Sequence, residues 1–292
     1  MANSIALAER YLAVTDKVYK AASKTIDLDF ANSDIQFIGA NTAKVAKVSM
    51  DGLGTFSRDT GYPVGDVTLT WETLTLGQDR GKQIHIDRYD NEESLGQAFD
   101  NMAIEFERQK VVPEIDAYCF AKMYAGTGNT VATGAITVGT TDVPALVEEG
   151  EAELDIAEVP REGRLLFVSP VAYQGLKAKI TRYLANEGTV NRNVEYFDDM
   201  KVIIVPPARF ASAITLGTNG YTPATGGYYL NFMIVHPDAV KKAVKHNMPK
   251  IFSPDVVQDS DSWLLDYRAY YDCFVLDEKA KGIYVHRDTT AI

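Results

Sequence analysis

Between Gly52 and Gly81 the chain carries six glycines (52, 54, 61, 65, 77 and 81) and Pro63, and this punctuation limits what the residues around it can form. Val67-Thr68-Leu69-Thr70-Trp71 alternates apolar and polar, the apolar phase slips at Thr73 so that Leu74 and Leu76 point the other way, and Ile84-His85-Ile86 alternates again. Alternation bounded by turn residues is β-hairpin material. A two-stranded ribbon is barely stable alone in water, and its open edges invite pairing with another chain. The segment therefore either packs on its own body or is completed by a neighbour.

On the N-terminal side, Ile5, Ala8, Leu12, Thr15, Tyr19 and Ala22 recur at helical spacing, which predicts an amphipathic helix over residues 4–22. A polar arm, 23–42, follows it. On the C-terminal side, Asp90 and Glu93 form a candidate cap, and Leu95, Phe99, Met102 and Phe106 begin a helical stripe. Ile115, Tyr118, Cys119 and Met123 continue it to Gly126. A helix over 92–125 would be about 50 Å long at 1.5 Å per residue. Pro113 is expected to bend or break this spine near Val111-Val112.

The Gly/Thr-rich residues 127–141 mark a boundary, after which the order alternates like an α/β unit. Asp142-Val143-Pro144 opens a helix to Leu154, Arg164 to Val168 reads as a buried strand, and Ser169-Pro170 caps and starts a helix to Leu184. Lys201 to Val205 is a strand closed by Pro206-Pro207, 217–227 a loop and 228–235 a strand, and Pro237 is expected to open a helix to Lys245. In the tail, Trp263, Leu265, Tyr267, Ala269, Tyr271, Cys273 and Val275 face one way, and Asp266, Arg268 and Asp272 the other. This strand is expected to form a hairpin with a last strand, 283–286, that lies on the helix at 92–125. Residues 127–250 then become an insertion between two halves of one domain.

A length of 292 residues suits two packed units, and 46% apolar with 24% charged residues is a globular composition. The charge sum, 29 − 40 = −11, argues against a nucleic-acid or anionic-membrane clamp. Two cysteines are too few for a disulfide framework, so a reducing compartment is expected. No apolar run approaches the roughly 18 residues of a membrane span. Glu9 and Arg10 fall where the apolar run of a signal peptide would lie.

No catalytic constellation emerges. His85 and Asp87 share a strand face that reads as solvated, His236 precedes Pro237 as a cap, His246 ends the expected helix, and His286 sits near the C-terminus. None has a His or Cys partner at ligand spacing, so neither metal nor cofactor is expected. Cys119 and Cys273 lie on apolar faces as small hydrophobes. Ser169 lacks the glycines of a nucleophile elbow and reads as a helix cap. Gly126-Thr127-Gly128 lacks the context of a phosphate loop. Glu148, Glu149, Glu151 and Glu153 read as a solvated helix face.

The run Ser49-Met50-Asp51-Gly52-Leu53-Gly54, followed by Gly65 to Thr73, resembles the major capsid proteins of tailed bacteriophages of Gram-positive bacteria. Asp90-Asn91-Glu92-Glu93 and Val111-Val112-Pro113-Glu114-Ile115-Asp116-Ala117 look like the same family, as do Val168-Ser169-Pro170 and Val235-His236-Pro237. The resemblance implies the α+β Hong Kong 97-type fold. Its parts would be an N-terminal arm (1–44), an extended loop (45–90), a peripheral domain with the spine helix (91–126 and 251–292) and an axial domain (127–250). It further implies a structural, non-enzymatic subunit that assembles into pentamers and hexamers of an icosahedral head around double-stranded DNA, formed in the host cytoplasm and ending in the virion.

The implied partners are other copies of the chain, a separate scaffolding protein or none, portal and head-decoration proteins, and packaged DNA through weak non-specific contact. Intersubunit contacts are expected at Arg58, Asp59, Tyr62, Trp71 and Arg80 of the extended loop and at Tyr11, Leu12 and Tyr19 of the arm. For Trp71 and Tyr62 the alternative is packing of the ribbon against its own domain. Pro113 is expected to supply the bend of the spine. Two other readings stay open: an encapsulin-like compartment holding an enzyme, and an α/β enzyme built on 142–250.

Overall fold

The computed structural model describes residues 23–29, 42–56, 58–59, 61–62, 64–88, 106–179, 193–257 and 260–292. The expected helix at 4–22, the first part of the helix at 92–125 and the end of the helix expected to reach Leu184 lie outside them. The chain divides into one unit of Phe30–Gly77 and a second of Met1–Asp29 with Gln78–Ile292.

In the smaller unit, β1 (Thr42–Met50) pairs antiparallel with β2 (Val67–Thr75) in an unbroken register from Thr42↔Thr75 to Met50↔Val67. Cross-strand partners share a face. Met50, Val67, Val48, Leu69 and Trp71 therefore stand on one side, and Ser49, Thr68, Lys47, Thr70 and Glu72 on the other. Leu74 is buried on the side opposite Trp71. The phase slip at Thr73 is thus real, and it needs no bulge.

The larger unit holds two main sheets. One is antiparallel, β11 (Val240–Phe252), β12 (Ser262–Val275) and β3 (Gln78–Asp87), with β12 central. The other is six-stranded, in the order β4 (Thr130–Thr133), β13 (Ile283–Ala291), β10 (Tyr228–Val235), β5 (Leu165–Val168), β7 (Met200–Ile204) and β6 (Tyr196–Phe197).

Three expectations are corrected by these pairings. Pro237 opens only a three-residue 3₁₀ turn, Pro237–Ala239, and the expected helix to Lys245 is instead the first half of strand β11. Val240, Ala243 and Val244, three and four residues apart, mimic a helical stripe, but β12 needs a second hydrogen-bonding edge and β11 provides it. The edge position of β11 tolerates Pro249, which has no N–H to donate. Second, the loop expected at 217–227 contains half of a short hairpin, β8 (Ile214–Gly217) and β9 (Gly220–Pro223). Third, the tail strands do not form a hairpin: β12 pairs with β11 and β3, while β13 pairs with β10 and β4. Residues 142–250 are consequently no self-contained unit, since β10 depends on β13 and β11 on β12.

The spine runs from a five-residue π turn, Glu107–Val111, directly into α1 (Val112–Ala125), with Pro113 in the first α-helical turn. Proline has no N–H and its ring crowds the carbonyl four residues earlier. The wider π turn absorbs that conflict without ending the helix. Asn129 caps the far end, its Nδ2 donating to the Met123 and Tyr124 carbonyls at 3.0 and 2.9 Å.

Strand parity then builds two core layers. Leu166, Val168, Phe232, Ile234 and Tyr284 pack with Val147, Leu154, Ala172 and Leu176 of α2 (Val143–Ile156) and α3 (Pro170–Lys179). The alternate residues Leu165, Phe167, Met233, Val235, Ile283 and Val285 pack in a second layer with Ile115, Cys119, Phe120 and Met123 of α1. That layer also takes in Tyr267, Ala269, Tyr271 and Cys273 of β12, so α1 is buried between the two sheets. Close approach is set at Gly150, where a Cβ would lie 2.7 Å from the Tyr284 ring.

Candidate intersubunit surface

The apolar side of the ribbon is open to solvent: Met50 is 70% exposed, Val67 68%, Trp71 59%, and Val48 and Leu69 55% each. Five large apolar side chains on one face of a two-stranded ribbon form an interaction patch rather than scattered surface residues. The ribbon's end is closed by the Asp51 carboxylate, which accepts the Asp66 N–H at 2.9 Å. Beyond it Leu53, Tyr62 and Val64 are almost wholly exposed, with the Phe56 and Tyr62 ring centroids 5.0 Å apart. Arg58 and Asp59 are exposed in the same connection.

Arg80 lies elsewhere, on β3 in the larger unit, and its guanidinium is engaged within its own chain. Nε donates to Glu114 Oε1 at 2.7 Å, and Nη2 donates to Oε2 at 3.2 Å and to the Gly217 carbonyl at 2.8 Å. The Tyr271 hydroxyl donates to the same carboxylate at 3.3 Å. The hydrogen bond to Glu114 raises the Arg80 pKa, and burial pushes the Tyr271 phenol up.

Tyr11, Leu12 and Tyr19 lie outside the described residues, but the described stretch of the arm, residues 23–29, is anchored. Asp116, wholly buried on α1, accepts from Ser23 Oγ (2.9 Å), the Lys24 N–H (2.9 Å), Thr25 Oγ1 (2.8 Å) and Arg209 Nη1 (3.2 Å). Lys242, buried on β11, donates to Thr25 Oγ1 at 3.1 Å and ion-pairs with Asp29. Leu28 joins the core between these polar ties. The sequence showed only a polar stretch here, because every partner is far away along the chain.

The residues with reactive side chains take structural places. Burial, together with the neighbouring Cys273, pushes the Cys119 thiol up, away from the reactive thiolate. Ser169 Oγ accepts the Ala172 N–H at 3.2 Å, as a cap does. His236 Nδ1 accepts from the Asp238 N–H at 3.3 Å, and His85 is exposed beside Gln83. His286 is buried despite its place near the terminus, stacked on Phe232 with centroids 4.9 Å apart, and burial lowers its pKa. Glu148, Glu149 and Glu153 are exposed, whereas Glu151 is half-buried and burial, with Asp198 nearby, raises it to about 7. Among the described residues no group of three or more His, Cys, Asp or Glu is placed to hold a metal ion, and no helix is long and apolar enough to cross a membrane.

Neither a protein-family model nor a curated protein matches this sequence. Solved structures do match its fold. The asymmetric unit of the bacteriophage PhiM1 mature capsid contains a chain 12% identical, with a TM-score of 0.60 over 86% of this chain and 83% of that one. The capsid of cyanophage P-SCSP1u gives 14% identity and a TM-score of 0.57 over 88% and 86%. The virus-like particle from Pyrococcus furiosus gives 13% identity and 0.57 over 95% and 98%. The chain therefore has the mixed α+β Hong Kong 97-type fold of capsid and virus-like-particle shells.

Proposed function

We propose that this protein is the major capsid subunit of a tailed bacteriophage, a structural protein rather than an enzyme. It assembles into pentamers and hexamers of an icosahedral head that encloses double-stranded DNA. The observation that carries the reading is the exposed apolar face of the ribbon, on a chain whose fold is that of shell proteins. Its occupant is a second copy of the chain, through interfaces of the large obligate class. Trp71, Tyr62, Arg58 and Asp59 belong to that contact. Arg80 contributes by holding β3 to the spine, and Tyr11, Leu12 and Tyr19 extend the contact along the arm.

In this reading the peripheral domain (91–126 and 251–292) is built on the spine and β12 and borrows β3 and β11 for its sheet, while the axial domain (127–250) is built on α2, α3 and the six-stranded sheet and borrows β13. The π turn before Pro113 supplies the spine's bend. The net charge of −11 keeps the inner wall from gripping DNA. Duplex binding by the subunit is therefore weak and non-specific, and scaffolding, portal and decoration proteins are its further partners.

A second reading, a compartment holding protein, is favoured by the likeness to the Pyrococcus furiosus particle. Expression of the full chain followed by light scattering and negative-stain imaging tests both readings. Closed megadalton shells are expected, and a stable monomer or dimer at high concentration would overturn the shell assignment. Nuclease-protected DNA in particles from infected cells decides for the phage head, a co-purifying enzyme for the compartment.

A further inference from the structure

Apart from the ribbon, the larger unit carries a cleft of about 360 Å³ where β3, the π turn, the start of α1, β12 and the β8–β9 turn meet. Its walls are Phe106, Val111, Ile115, Tyr267 and Ala269, with the Phe106 and Tyr267 rings edge to face at 5.8 Å. The Arg80–Glu114–Tyr271 cluster also lines it, and its charged groups already satisfy one another. Two more cations line the cleft, Lys82 and Lys110, both exposed and neither paired with a carboxylate among the described residues.

Counting Arg80, Lys82 and Lys110 against Glu114, the cleft carries a charge of 3 − 1 = +2 on a chain of net charge −11. An apolar chamber with a few convergent charges is the usual form of a small-molecule site. The local positive potential selects an anion in an otherwise anion-repelling molecule. A π turn in the wall is a further mark, since such turns concentrate at functional sites.

We propose that this cleft binds a small amphiphile with an apolar body and one anionic head, the chemistry of a medium-chain fatty acid. The body lies against Phe106, Val111, Ile115, Tyr267 and Ala269, and the head sits between the Lys82 and Lys110 ammonium groups. At about 30 Å³ per water-sized volume the chamber holds roughly twelve such volumes, the size of a ten-carbon carboxylate. A ligand there touches both the π turn and the β8–β9 turn, so it braces the start of the spine.

The test is isothermal titration of the full-length protein with decanoate below its micellar concentration, beside decanol and hexanoate. One saturable site is expected for decanoate, with decanol and hexanoate each at least tenfold weaker. The double variant Lys82→Glu/Lys110→Glu, both surface positions, should weaken decanoate at least tenfold and leave decanol unchanged. Ala269→Leu should fill the chamber and weaken both, with circular dichroism confirming its fold, and Trp71→Ala on the ribbon should change neither. Unsaturable binding, equal affinity for decanol, or indifference to the lysine substitutions would overturn the proposal.

Discussion

Trp71→Ala isolates what the ribbon contributes to assembly. A buried aromatic side chain covers about 150–250 Å². With 59% of Trp71 exposed, about 90–150 Å² is left for a neighbour to cover, worth about 2–4 kcal/mol at ~25 cal/mol per Å². In the proposed shell each subunit would place one Trp71 against a neighbour. The loss therefore raises the concentration at which shells form by roughly thirtyfold to several hundredfold, at about 1.4 kcal/mol per factor of ten. Light scattering across a dilution series reads that threshold, and thermal unfolding of the dissociated subunit reads folding separately. The expected result is a shifted threshold with an unchanged melting temperature. An unshifted threshold would refute the interface, and a lowered melting temperature would show that Trp71 serves its own chain.

Further outcomes follow from the buried groups. Asp116→Asn places an amide N–H₂ against donors that now face oxygen and removes the partner of Arg209, so urea denaturation should show a loss of about 3–5 kcal/mol. A loss under about 1 kcal/mol would mean that the arm is not held by this carboxylate. Glu151, raised to about 7, binds its proton more tightly folded than unfolded, so its contribution declines as pH rises from its ordinary value through 7. Glu151→Gln should therefore raise the melting temperature at pH 8 and leave it unchanged at pH 4. His286 has the opposite sign. Its lowered pKa means the unfolded chain takes up the proton first, so stability is full above its ordinary value near 6.5 and falls as pH drops below it, against partial relief from Glu149 and Asp288. His286→Gln should flatten calorimetric stability below that pH. Pro113→Ala restores an N–H to the spine, and in the proposed shell it should alter the particle diameter measured by light scattering; an unchanged diameter would make the residue ordinary helix punctuation.

Legibility in the sequence followed the range of the interaction. The Ser169-Pro170 cap, the strand at 228–235 and the stop at Gly126 were readable because their causes lie within a few residues. Val240 to Lys245 misled because apolar residues three and four apart fit a helix, while the strand's real cause is β12, whose partners begin with Val275 opposite Val240. The burial of His286 was equally hidden, since Asn231 is 55 residues away and Gly134 is the small residue beside which its ring fits.

What this sequence determined by itself is local: the ribbon's alternation and phase slip, helices opened by Pro144 and Pro170, and an apolar face with no polar partner nearby. Tertiary structure alone decided that α1 lies between two sheets, that β11 is a strand, and that Asp116 and Lys242 hold a segment 91 and 217 residues away. The physical reason is that periodicity acts between residues two to four apart, whereas partners for buried charge and open strand edges are chosen only once the whole chain has collapsed around them.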